Sequence, residues 1–140
     1  MKINIASNEV VHFIGIGGIG MSGLAQIMKN MGFKVQGSDL SRNKNTERLI
    51  KSNIKVYFGH HQNNLKKATM IVISSAVKKN NKELKVAKYK NLPVFKRGDM
   101  LANIVALKKK YYYHWFAWKD YNNIFNRQYF IESWFRSNRN

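Results

Sequence analysis

The sequence predicts an α/β fold, a Rossmann-like parallel sheet of about five strands with helices on both faces. Two observations predict it. Short apolar runs alternate with helical patterns along the chain, the arrangement that buries a parallel sheet between helix layers through right-handed crossovers. The first such run, VVHFIGIG at residues 10–17, ends in glycines and opens directly into a helix.

The elements follow in order. Val10–Gly17 reads as a buried strand, with His12 a packed core histidine. Residues 18–31, GIGMSGLAQIMKNM, read as a helix with apolar Ile19, Leu24, Ile27, Met28 and Met31, stopped by Gly32. FKVQGSD is a second strand ending at Asp39, Asn45 to Ser52 is helix-like, and IKVYF is a third strand. ATMIVISSA is the fourth, ending at Ser74 and Ser75. A lysine-rich helix at 80–91 leads to a fifth, Leu92–Phe95, with the only proline. A helix from about Arg97 to Leu107 closes the series.

Composition sets the limits. The 140 residues allow one domain, and the absence of cysteine excludes disulfides. No apolar stretch approaches the roughly 20 residues that span a bilayer, and the N-terminus lacks a secretory pattern, so a soluble cytoplasmic protein is expected. The net charge of +18 invites a nucleic-acid partner, but residues 1–107 spread 18 Lys and Arg against 5 Asp and Glu along helices and loops. That distribution suits a solvated surface, and no specific nucleic acid or membrane partner is expected.

GIGGIG, Gly15 to Gly20, fits G-x-G-x-x-G after a strand and before a helix. Gly15 and Gly17 permit the tight turn and the approach of a ligand to the backbone, and Gly20 lets the helix pack near the strand. The free N–H groups and the dipole at the helix start favour a phosphate or diphosphate. Asp39, 19 residues after Gly20, could accept ribose hydroxyls or cap the SDLS segment. Ser74 and Ser75 sit on the rim where open α/β sheets bind ligands, or satisfy local backbone groups. His60 and His61 have no third clustered ligand type, so no metal site is expected.

HFIGIGGIGMSGLA, VQGSDL, FGHH, VISSAV and PVFKRGDML, in this order and spacing, resemble the N-terminal domain of the Mur ligase family. Within that family they resemble the UDP-N-acetylmuramate–L-alanine ligases of bacterial peptidoglycan synthesis, over roughly residues 8–107. The resemblance implies that UDP-N-acetylmuramate is the ligand, with Gly17, Gly18, Ile19, Gly20, Met21 and Ser22 around its diphosphate. Gly15 would shape the turn, and Asp39, Ser74 and Ser75 would lie near the rest of the nucleotide-sugar. Related ligases that join a tripeptide to the same sugar nucleotide are the alternative within the family. A nicotinamide-dependent oxidoreductase fragment and a basic nucleic-acid module are the alternatives outside it.

The intact family enzymes, the resemblance implies, use ATP and magnesium to activate the substrate carboxylate before an amine attacks. Their ATP loop has the form G-T/S-H-G-K-T-T and should follow the helix ending near Leu107. The chain instead changes vocabulary at Lys108. Of 18 aromatics, 12 fall in residues 108–140, a segment without Gly, Pro, Leu, Val or Thr. Such residues could stack on single strands or sit at a membrane interface.

The genetic code gives another account. Read from the second base of each codon, Trp115 and Trp118 must both become glycine. Tyr111 onward then permits IIITGSHGKTTTT, the missing loop at the family's place for it. The expectation is a reading-frame shift after about Leu107, in the gene or in its sequencing. Residues 1–107 would be the UDP-sugar-binding domain and 108–140 a non-native, irregular or partly helical tail. The chain alone would need no cofactor and would not ligate. Surface left without its neighbouring domains could self-associate.

Overall fold

The computed structural model describes residues 8–118, with side chains through 109. Its elements are β1 (Val10–Ile14), α1 (Ile19–Asn30), β2 (Lys34–Asp39), α2 (Lys44–Lys51) and β3 (Lys55–Phe58), followed by a 3-10 turn (Gln62–Leu65). Then come β4 (Met70–Ile73), α3 (Lys82–Tyr89), β5 (Val94–Lys96) and α4 (Arg97–Trp118). The chain divides into two units, Met1–Arg97 and Gly98–Asn140. The first holds the whole sheet.

All four strand pairings are parallel, in the order β3-β2-β1-β4-β5. This is the α/β sheet the apolar runs predict, each strand being shorter than the run that announces it. β1 lies at the centre, with α1 packed against α2 and α3 against the 3-10 turn. The chain leaves β1 toward β2 and β3, then returns to its other side as β4 and β5, so the strand order reverses between β1 and β4. That reversal opens a crevice beyond the carboxyl ends of the two strands.

Side chains alternate across the sheet with period two. On one face Ile14 joins Leu65, Ala68, Ile71, Leu84 and Ala87 in a buried cluster packed with Val86, Leu92 and Val94. His12 shares that face, and the register His12↔Gln36 and Ile14↔Ser38 sets two polar side chains of β2 beside it. Val11 and Phe13, wholly buried, face the opposite layer.

The first three α-helices end in one way. After each, a residue at positive φ reverses the chain: Gly32 at 96°, Asn53 at 59° and Asn91 at 53°. The next amide then bonds back to the helix, Phe33 to the Met28 carbonyl (3.2 Å), Ile54 to Leu49 (3.0 Å) and Leu92 to Ala87 (2.9 Å). This is the Schellman arrangement, which glycine adopts freely and asparagine tolerates. Only the glycine stop is foreseen from the sequence.

The closing helix, expected to end near Leu107, continues to Trp118. Nothing between Asp99 and that point stops it, since the stretch contains neither glycine nor proline. The helix crosses the expected boundary at Lys108, while residues 119–140 of the expected tail lie outside the described residues.

Candidate functional site

The turn from β1 into α1 is best read as an account of its amides. Gly15, at φ 82°, and Ile16 both donate to the Ser38 carbonyl, at 2.8 and 3.0 Å. Gly17 donates to Asp39 Oδ2 (2.8 Å), and Gly18 to the Gly15 carbonyl (3.3 Å). Ser22 makes the first helical bond, to Gly18 (2.8 Å). The amides of Ile19, Gly20 and Met21 are left with no acceptor among the described residues, and the N-cap Gly18 has no side chain to cap them. Three orphan donors and the positive end of a 12-residue helix therefore converge at the crevice.

Gly17 is clamped on both sides. Its carbonyl accepts from Asn43 Nδ2 (3.3 Å) and Asn45 Nδ2 (3.0 Å), while Asp39 holds its N–H. A Cβ there would lie 2.8 Å from Asp39 Oδ2 and 2.9 Å from both Asn43 Nδ2 and Thr46 Cγ2, so only glycine fits. Gly18 differs, because its Cβ would meet nothing nearer than the Gly15 carbonyl at 3.5 Å. Gly20 lies under Arg97, whose Nη1 would be 2.7 Å from an added Cβ. That arginine makes no ion pair among the described residues.

Asp39 takes the capping role and adds one the sequence did not offer. Oδ1 accepts from its own following amides, Leu40 (2.8 Å) and Ser41 (3.3 Å), while Oδ2 ties down the loop. The cap of α2 is Asn43, which exchanges hydrogen bonds with Thr46 in a capping box. Ser74 lies beside Gly15, where an added Cβ would be 3.7 Å from Ser74 Cβ. Its hydroxyl accepts from Ala76 N (3.2 Å), while Ser75 is exposed. Met21 and Ser22 are buried; Met21 offers the crevice only its amide, while Ser22 spends its amide on the Gly18 carbonyl and its hydroxyl on the Ile19 carbonyl (3.1 Å). Ile19 is 90% exposed at its mouth.

A second constellation lies behind the loop, centred on Glu83 of α3, which has no exposed surface. Glu83 Oε2 accepts from Ser38 Oγ (2.5 Å) and lies 3.2 Å from His60 Nδ1 and 3.4 Å from His12 Nε2. Oε1 accepts from Asn64 Nδ2 (2.7 Å). Gln36 Nε2 donates to the Asn64 carbonyl (2.7 Å), which turns its other hydrogen toward His12 Nδ1 (3.1 Å). His12 is then an acceptor at Nδ1 and a donor at Nε2, toward the carboxylate. Among the described residues no group of three His, Cys, Asp or Glu could hold a metal ion.

Burial pushes the Glu83 carboxyl upward, but hydrogen bonds from His12, Ser38 and Asn64 outweigh it and leave the group below its ordinary value. A carboxyl depressed by folding stabilises the fold above its unfolded value, about 4.3, and loses that contribution as pH falls through the folded value. Thermal melts on acidification should therefore show a loss of stability beginning below about pH 4. Glu83→Gln should flatten that loss while lowering the neutral-pH melting temperature.

The sequence model of the Mur ligase family, catalytic domain, matches residues 10–109. UDP-N-acetylmuramate–L-alanine ligase of Pelagibacter ubique is 63% identical over 109 residues, 78% of this chain and 24% of its own length. The enzyme of the same name from Aquifex aeolicus is 56% identical over 98 residues, covering 70% and 22%. The crystal structure of UDP-N-acetylmuramate–alanine ligase from Thermotoga maritima superposes with a TM-score of 0.69 at 29% identity, over 71% of this chain and 23% of that one. A ligase from Neisseria meningitides, named for joining UDP-N-acetylmuramate to L-alanyl-γ-D-glutamyl-meso-diaminopimelate, gives 0.60 at 33%, over 64% and 28%. The chain thus spans about a quarter of the length of the curated relatives it matches. Among the described residues no helix is long and apolar enough to cross a membrane.

Proposed function

The chain belongs to the Mur ligase family, and from that premise we propose that its first unit binds UDP-N-acetylmuramate in the cytoplasm, the diphosphate seated on the glycine loop. The observation that carries this reading is the set of three unpartnered amides, Ile19, Gly20 and Met21, facing the crevice where the strand order reverses. Backbone donors fixed in place suit a diphosphate, whose charge the helix dipole also favours. Arg97, lying on Gly20, supplies the full positive charge the loop itself lacks. Exposed Leu40, and Phe58 beneath the Arg42 guanidinium at 4.6 Å, offer apolar surface farther along the rim for the base.

The chain's own part in ligation is then to hold and orient the sugar nucleotide. ATP and magnesium would supply carboxylate activation in the longer relatives. The described residues do not fit that pair, having no lysine-bearing phosphate loop and no cluster of metal ligands. Calorimetry on the whole chain should detect UDP-N-acetylmuramate binding and no ATP hydrolysis. Binding of NAD in preference to UDP-sugars would overturn the assignment in favour of an oxidoreductase fragment.

The tail receives a separate reading, a shift of reading frame after about Leu107. The family match stops at residue 109, where the vocabulary changes, and the two compulsory glycines of the second-base frame support it. The nucleotide sequence decides the matter. A ligase-like continuation in that frame is expected, and an early stop codon there would sink the idea.

A further inference from the structure

We propose that Glu83 is a positioning residue for the glycine loop, acting through Ser38. The inference rests on the reading of that loop as the diphosphate seat. Ser38 joins the two constellations. Its hydroxyl donates to Glu83 Oε2 (2.5 Å), and its carbonyl accepts the Gly15 and Ile16 amides at 2.8 and 3.0 Å. The next residue, Asp39, holds Gly17. Two consecutive residues of β2 therefore anchor the first three amides of the turn, and the side chain of one of them is fixed from α3.

The carboxylate is suited to this work because it is over-determined. Its donors come from four separate segments: His12 on β1, Ser38 on β2, His60 after β3 and Asn64 on the 3-10 turn. A fully satisfied buried network of this kind permits one arrangement of its members. An amide in place of the carboxylate keeps the shape but turns an NH₂ toward hydroxyl or amide donors, leaving at least one pair in conflict. The strain falls on Ser38 and reaches the loop through its carbonyl. The orphan amides of Ile19, Gly20 and Met21 follow directly on the displaced turn, so a small shift changes how well they converge on one anion.

The test compares Glu83→Gln with Leu65→Ala, a truncation in the apolar cluster on the same sheet face. Each is measured for melting temperature, for UDP-N-acetylmuramate affinity by calorimetry, and for the amide proton and nitrogen shifts of Gly15, Ile16 and Gly17. Glu83→Gln should displace those three amides and weaken binding about tenfold, roughly the worth of one misaligned charge-assisted hydrogen bond. Leu65→Ala should lower the melting temperature while leaving both loop shifts and affinity near wild type. Ser38→Ala should reproduce the effect, and adding it to Glu83→Gln should change little more, because both cut the same link. If Glu83→Gln fails to fold, Ser38→Ala alone decides by the same readouts.

Wild-type loop shifts and affinity in Glu83→Gln overturn the proposal, as does an equal loss of affinity in Leu65→Ala. If the wild-type chain does not bind the sugar nucleotide, the functional reading fails, and the amide shifts still decide whether Glu83 positions the loop.

Discussion

Valine at Gly18 is expected to reduce UDP-N-acetylmuramate affinity by about a hundredfold or more, while moving the melting temperature by no more than about two degrees. The asymmetry follows from geometry. Gly18 has φ −62° and ψ 151°, extended backbone that valine adopts without strain. An added Cβ meets the protein only at ordinary contact distance, 3.5 Å from the Gly15 carbonyl and 3.6 Å from Met21 Cγ. The residue is exposed and precedes the three orphan amides, so the branched side chain stands where an anion must approach them. Calorimetry and a thermal melt on the same sample separate the effects. Gly17→Ala is the contrast, since its Cβ cannot enter the clamp of Asp39, Asn43 and Thr46 and the loop itself must move. It should lose stability and binding together. Undiminished affinity in Gly18→Val would remove the diphosphate from the loop.

Alanine at Gly37 should be the most damaging single methyl group in the sheet. Its Cβ would lie 2.6 Å from Ile16 Cδ1, 2.7 Å from Ile16 Cβ and 2.7 Å from the Phe13 carbonyl, in a wholly buried stretch of β2. One of those neighbours is backbone of the central strand, so the overlap is not relieved by a rotamer change. Overpacking typically costs 1–3 kcal/mol, and a loss of about 3 kcal/mol is expected here. For a unit of this size that is a fall in melting temperature of roughly 12 to 24 °C. Ile16→Val deletes the nearest atom, Cδ1, and should recover part of the loss in the double variant, a non-additivity that distant sites do not show. A Gly37→Ala protein melting within a few degrees of wild type would mean that β2 and the turn after β1 are not packed this way.

What the sequence discloses and what it hides divide by distance along the chain. The glycine loop is legible because its whole pattern lies within Gly15–Gly20, and Asp39 is legible because it closes a strand-like run. The identity of the fold follows from the same local alternation. Glu83 is not legible. It sits in KELKVAKYK, which reads as a solvated lysine-rich helix, and its donors lie from 19 to 71 residues away. Only the parallel register of β1 and β2 brings His12, Gln36 and Ser38 onto the face where α3 lands. Asn43 and Asn45 escape for another reason. Capping chemistry is plain in SDLS, but Asp39 serves that turn and the loop, and the cap of α2 falls four residues later. Arg97 belongs to a recognisable motif, PVFKRGDML, yet its place on Gly20 depends on where β5 joins the sheet.

The central position of β1 also orders the steps by which the domain comes together. Val11 pairs with Val35, 24 residues on, and with Met70, 59 residues on. Joining β1 to β4 closes the longer loop, and on closure entropy alone that pairing is expected to follow the β1–β2 and β2–β3 pairings, each made through one short helix, an order that pulse-labelled amide exchange during refolding would check. The crevice between β1 and β4 does not exist before that event. The glycine turn needs only β1 and β2, but the far side of the crevice is in place only when Ser74 arrives beside Gly15. If the loop is the diphosphate seat, its two sides are therefore expected to meet only with that late pairing.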